Sequence, residues 1–148
     1  MAKEPGMTLY ESNNTNQKLT RWCHDYYGDE GVRQTCHDVK QYKDLLRHQE
    51  AVRKIADYFA GSSLVSSSSV LIPAPQHTGR ACYTKEICDL VSRWTGAGVS
   101  DILLCKPHKP LYEAKLAGQE VTLELYIDGN IKGNIDGREL FFVDNVMA

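Results

Sequence analysis

Three stretches of the chain carry side chains that could do chemistry together. Asp144-Asn145 puts a carboxylate and an amide directly after Leu140-Phe141-Phe142-Val143. Such a pair can accept and donate hydrogen bonds to a diol, for example the two free hydroxyls of a ribose. Asp and Asn are also ordinary turn residues, so alone the pair names no ligand. Pro73-Ala74-Pro75-Gln76-His77-Thr78-Gly79-Arg80 joins a stiff loop to a guanidinium. Guanidinium grips phosphate oxygens with two bonds, and a helix start beside it adds partial positive charge. In isolation two prolines around one alanine more often mean only a stiff turn. The third stretch, 106–115, holds Lys106, His108, Lys109 and Lys115 with two prolines and Tyr112, and has no clean helix or strand period. It reads as a solvated loop, or as a basic arm able to fold over a polyanion. Cys23-His24 and Cys36-His37 could in principle offer thiolate and imidazole to zinc. Adjacent ligands fit no common zinc spacing, because neighbouring side chains on a strand point to opposite faces. Buried thiols and partly exposed imidazoles are the simpler expectation.

Elements must position these groups. The four apolar residues 140–143 read as a buried strand of a parallel sheet, covered on both faces. The switch to Asp144-Asn145 then falls at a strand's carboxyl end, where open α/β sheets bind ligands. Val70-Leu71-Ile72 is a second short buried strand. A helix with Tyr83, Ile87, Leu90, Val91 and Trp94 on one face follows its loop, making a βα unit. After the turn Gly96-Ala97-Gly98, the run Val99–Cys105 reads as the next strand. Upstream, Asp38 is expected to cap a helix whose stripe is Val39, Tyr42, Leu45, Leu46, Val52, Ile55, Ala56 and Phe59, ending at Gly61. Serine-rich Leu64–Ser69 is a loop. Val121–Ile127 alternates as a half-exposed strand, and 131–135 is its expected partner in a hairpin inserted before the last strand. Asp128-Gly129-Asn130 and Asp136-Gly137-Arg138 are the turns. Residues 1–20 are loop-like apart from a short strand at Thr8-Leu9-Tyr10. Trp22, Tyr26 and Tyr27 form an aromatic group, expected in a flap on the core, though able to stack on a base or sugar. The expected division is an N-terminal flap over residues 1–37 and an α/β domain over 38–148.

In this order the segments resemble the type I phosphoribosyltransferases. In that family a hydrophobic strand leads into two acidic residues, a few small or apolar residues, then Thr-Gly and another Thr or Ser. Phe141-Phe142-Val143-Asp144-Asn145-Val146-Met147-Ala148 matches the first half, with Asn145 in place of the second acid. Ile72-Pro73-Ala74-Pro75 with Gly79-Arg80 is similar to the pyrophosphate-binding loop in the branch related to bacterial competence proteins. The basic 106–115 stretch stands where that family has a long loop closing over substrate. The resemblance implies a mainly parallel sheet flanked by helices, Rossmann-like in layout. It implies a site for phosphoribosyl diphosphate or a nucleotide, with Asp144 and Asn145 at the ribose and the 73–80 and 106–115 loops at the diphosphate. It also implies magnesium bridging diphosphate and ribose oxygens, with no direct protein ligand, and transfer of the phosphoribosyl group to a base-type acceptor. The sequence stops after Ala148, before a Thr-Gly stretch that would cradle the 5′-phosphate. The expectation is therefore a chain cut within the motif, with little transferase activity of its own. A non-catalytic member of the same fold, acting in regulation, nucleotide sensing or assembly, is the alternative.

Composition sets the outer bounds. With 148 residues, 42% hydrophobic and 24% charged, the chain suits one soluble domain with a moderate core. Its net charge of −2 provides no overall basic field, so nucleic acid is not an expected partner. No apolar run approaches the roughly 20 residues that span a bilayer. Met1-Ala2-Lys3-Glu4-Pro5-Gly6 lacks the apolar region of a signal peptide. Five irregularly spaced cysteines do not suggest a disulfide framework. The cytoplasm is the expected compartment, and self-association through an uncovered last strand is the expected assembly.

Overall fold

The computed structural model describes residues 7–14 and 17–24 by their backbone, and residues 30–128 and 138–144 with their side chains. Asn145, Tyr26, Tyr27, the side chains of Trp22 and Cys23, and the 129–137 part of the expected hairpin lie outside the described residues.

The architecture is mixed α/β, built on a small parallel sheet flanked by helices. Its middle strand, β3 (Ser69–Pro73), is buried along its whole length. The apolar run Val70-Leu71-Ile72 points to this in the sequence, and a strand with neighbours on both sides can bury both faces. Serines fix where it begins: Ser69 donates its amide to Ser66 O over 3.0 Å, and its hydroxyl accepts the Ser66 amide at 3.0 Å. Two other strands pair with β3, both parallel: β4 (Gly98–Val99) on one side and β7 (Glu139–Val143) on the other. The order is β4-β3-β7, so the chain starts in the middle, steps to one side and returns to the other. In open parallel sheets such a reversal marks where ligands bind, at the carboxyl ends of the strands, here β3 and β7.

Helix α3 (Tyr83–Thr95) joins β3 to β4 and packs on both strands. Its buried residues are Tyr83, Thr84, Ile87, Cys88 and Val91, at helical spacing. The buried stripe is rotated from the expected one: Trp94 is 44% exposed, while Thr84 and Cys88 are buried in the place expected of Leu90 and Trp94. Gly96 ends the helix in the left-handed conformation (φ 80°), its amide donating to Ser92 O over 2.8 Å.

Several elements differ from expectation. Val99–Cys105 is not one strand. Ser100 N makes a last bond to Leu71 O at 2.9 Å, after which the polar Ser100-Asp101 step releases the chain from the sheet. Ile102 then packs with Val70 and Ile72, and β5 (Leu103–Cys105) pairs antiparallel with β6 (Leu125–Ile127). The strand expected over 121–127 is therefore limited to the three residues that face β5. The aperiodic 106–115 stretch contains a short helix, α4 (Leu111–Leu116), which starts directly after Pro110. The largest correction concerns β7. It pairs parallel with β3 as expected, but it is an edge strand among the described residues. Phe142 is 62% exposed, Leu140 37%, and Val143 is the buried one. Apolar composition sets what a strand could bury, whereas the layers packed on its two faces decide what it does bury.

Two compact units divide the chain, with the boundary inside a helix between Ala51 and Val52. In the first, β1 (Met7–Asn14) and β2 (Gln17–His24) pair antiparallel in the register Met7↔His24, where mostly loop is expected from the sequence. Cross-strand pairing overrides the turn preference of Ser12-Asn13-Asn14. Helix α1 (Glu30–Asp38) is unforeseen, and α2 (Leu45–Gly61) starts later than expected. Asp38 is the last residue of α1 and accepts from the Gln34 amide group over 2.8 Å. Asp44 caps α2 instead, taking the Arg47 N–H at 3.2 Å. Leu45 and Leu46 are consequently 60% and 80% exposed. The buried stripe in their place starts at His48, whose Nδ1–H donates to Val39 O over 2.8 Å.

Candidate functional site

Pro73 and Val143 are the last paired residues of β3 and β7, and one residue on, Ala74 N donates to Val143 O over 2.9 Å. The carboxyl end of β7 is thus bonded to the first residue of the 74–80 loop. Asp144 follows immediately and is exposed. At the loop's other end, α3 begins without a side-chain cap on its first amides. Thr84 uses its hydroxyl to hold Ala74 O at 2.6 Å, fixing where the loop leaves the strand.

Within the loop, Gln76 N donates to Arg80 O and Gly79 N to Gln76 O, both at 2.9 Å. This tight turn needs Gly79, whose φ is +111°, where an L side chain is strained. A Cβ there would also lie 3.0 Å from Cys105 O.

The 105–108 segment packs along the back of this turn. Cys105 N donates to Gly79 O at 3.0 Å, Cys105 Sγ to Gln76 O at 3.1 Å, and His108 N to His77 O at 2.8 Å. The imidazoles of His77 and His108 sit edge to face, 6.4 Å between centroids. A trans peptide points its C=O and the next N–H in opposite directions. Holding the carbonyls of Gln76, His77 and Gly79 therefore turns the amides of His77, Thr78 and Arg80 away from the 105–108 segment. None of those three amides donates to a backbone acceptor among the described residues. Together with the exposed Arg80 side chain, these amides are donors suited to an oxyanion.

Not every expected residue converges here. His108 Nδ1–H donates to Lys109 O at 2.6 Å, while Lys109 Nζ reaches Gln119 Oε1 at 3.4 Å. Lys106 is exposed beside the turn, its amide bonded to Glu124 O at 3.0 Å. Lys115 lies in the last turn of α4, and Pro75 is half-buried within the loop. Two contributors escape sequence reasoning. By type, Thr84 reads as an ordinary helix residue and Cys105 as a strand end. The only sequence signal for Cys105 is its place directly before the basic stretch. Its thiol is pushed up by burial, an effect eased by the Gly79 backbone contact, so it stays a protonated donor.

Among the described residues no group of three His, Cys, Asp or Glu side chains gathers around a point. No helix among them is long and apolar enough to cross a membrane. Family models, curated proteins and solved structures yield no match to the chain.

Proposed function

We propose that the carboxyl ends of β3 and β7, with the 74–80 loop, form a phosphoribosyltransferase-type site for phosphoribosyl diphosphate or a nucleotide derived from it. The observation that carries the proposal is the Ala74–Val143 bond at the reversal of strand order. It sets an anion-shaped loop beside a carboxylate at the place where open parallel sheets bind ligands. The donors at 77–80 suit a diphosphate, and the Asp144 carboxylate suits vicinal hydroxyls. Lys106 and His108 lie on the segment that bonds the carbonyl side of the turn, so the proposed donor set for the polyanion is the 77–80 amides with Arg80.

In a reaction of this type a base nitrogen bonds to the anomeric carbon as its bond to the diphosphate oxygen breaks. The bonding pair leaves with pyrophosphate, and the nitrogen's proton passes to solvent. The protein's share is alignment and stabilisation of leaving-group charge. Magnesium would be held through diphosphate oxygens and water with no direct protein ligand, leaving Asp144 to the ribose hydroxyls. When bound, the ion would neutralise diphosphate charge.

Calorimetric titration with pyrophosphate, phosphoribosyl diphosphate and adenosine monophosphate, each with magnesium, tests the proposal. Pyrophosphate release with a panel of bases separates an enzyme from a non-catalytic binder on the same scaffold. Absence of binding by all three ligands would refute both. Self-association belongs to the same proposal: the edge strand β7, with Phe142 and Leu140 exposed, is a surface on which copies could pair. Light scattering across a concentration series measures it.

A further inference from the structure

Cys105 holds the anion-shaped loop at two points, through its amide to Gly79 O and its thiol to Gln76 O. We propose that Cys105 is a positioning residue, setting from behind the direction in which the loop amides face a phosphate group. The inference rests on the diphosphate-site proposal above and adds the means by which that site is pre-organised.

The geometry follows from peptide planarity. Fixing the Gln76 carbonyl fixes the His77 N–H opposite it, and fixing the Gly79 carbonyl fixes the Arg80 N–H. His108 completes the set, since its amide holds His77 O at 2.8 Å and so directs the Thr78 N–H. Gly79 approaches so closely that a Cβ would meet Cys105 O at 3.0 Å. At 3% exposure, Cys105 leaves water little access to replace the thiol if it is removed. Burial raises the thiol's proton affinity, which keeps the Sγ donor in place at neutral pH. Serine can make the same bond and alanine cannot. Donors held in place before the ligand arrives lose less freedom on binding, which is how a residue that never touches ligand alters affinity.

Two readouts on the full chain test this. Backbone ¹⁵N relaxation reports the order of the His77, Thr78 and Arg80 amides without any ligand. Titration with pyrophosphate and magnesium reports affinity. Cys105→Ala is expected to loosen the His77 amide relative to β3, to leave the Arg80 amide ordered because the backbone N–H that holds Gly79 O remains, and to weaken pyrophosphate binding about threefold to tenfold. Cys105→Ser is expected to restore both. His108→Pro removes the amide that holds His77 O, along with the imidazole, and is expected to loosen Thr78 while His77 and Arg80 stay ordered; if the alanine variant does not fold, Cys105→Val, which fills the space without a donor, takes its place. Unchanged relaxation and affinity in a folded Cys105→Ala would overturn the positioning role while leaving the diphosphate site standing. Ordered amides with no pyrophosphate binding by the unaltered chain would overturn the diphosphate site, leaving Cys105 only a structural clip.

Discussion

Ala74 N and Val143 O lie 2.9 Å apart, one residue beyond the last paired positions of β3 and β7. This bond joins segments far apart in sequence, and it is the reason a proline-rich loop and an acidic strand end can share a ligand. Each group alone has an ordinary explanation as a turn. Side by side at a reversal of strand order, they would give the proposed site a direction: diphosphate toward the loop, sugar toward β7.

That direction makes Asp144 separable from the loop. Asp144→Ala is expected to weaken phosphoribosyl diphosphate by about tenfold to a hundredfold, the cost of losing hydrogen bonds to a charged group. Pyrophosphate, which has no ribose, is expected to bind as before. Parallel titrations check it, and an equal loss for both ligands would place Asp144 at the diphosphate instead.

Gly79 tests the turn itself. Its φ is +111°, and a methyl group added there would lie 3.0 Å from Cys105 O, which leaves no room for a side chain. Gly79→Ala is expected to cost about 1–3 kcal/mol and to lower Tm by roughly 3–10 °C. A thermal melt with unchanged midpoint would mean that the 76–80 turn relaxes freely.

Much of the scaffold is legible in the sequence because local pattern and burial agree at β3, at the start of α3 and at Gly96. Legibility fails where a partner decides. Asp38 and Asp44 are equally good caps by type, and only the end of α1 after Asp38 assigns the role to Asp44. Leu45 and Leu46 fit an apolar stripe in sequence, yet the stripe that forms runs through His48, a polar residue made tolerable by Val39 O. Asp144 and the 73–80 loop are recognisable by type and order, whereas the basic stretch is recognisable by type but its side chains do not converge on the loop amides. Cys105 is not recognisable, because a thiol's contact with a carbonyl 29 residues away leaves no periodic trace.

Arg80 is expected to act through its shape as well as its charge. Arg80→Lys keeps the charge but loses the two-bond grip on phosphate oxygens, so affinity for pyrophosphate should fall about tenfold. Arg80→Ala should fall further and show a weaker dependence on salt, because one exposed cation has gone. Equal binding by the arginine and lysine forms would show that Arg80 serves only as a point charge.

Cys88 provides a test of the core that is independent of any ligand. Burial first, then the nearby Asp89 and Asp101 carboxylates, push its thiol from the ordinary 9.0 up to about 12. The folded protein therefore keeps this proton at pH values where the unfolded chain has released it. Its contribution is fully present below about pH 9 and is lost as pH rises from there toward 12, because the unfolded state binds fewer protons across that window. Urea unfolding at pH 7, 9 and 10.5 is expected to give a falling stability, and Cys88→Ala a shallower fall over the same range. Comparing the two slopes cancels the tyrosines and lysines common to both. In native buffer at neutral pH, iodoacetamide is expected to modify the exposed Cys82 and spare Cys88. Equal labelling of both thiols, or identical alkaline slopes, would mean that α3 does not bury Cys88 against the sheet as described.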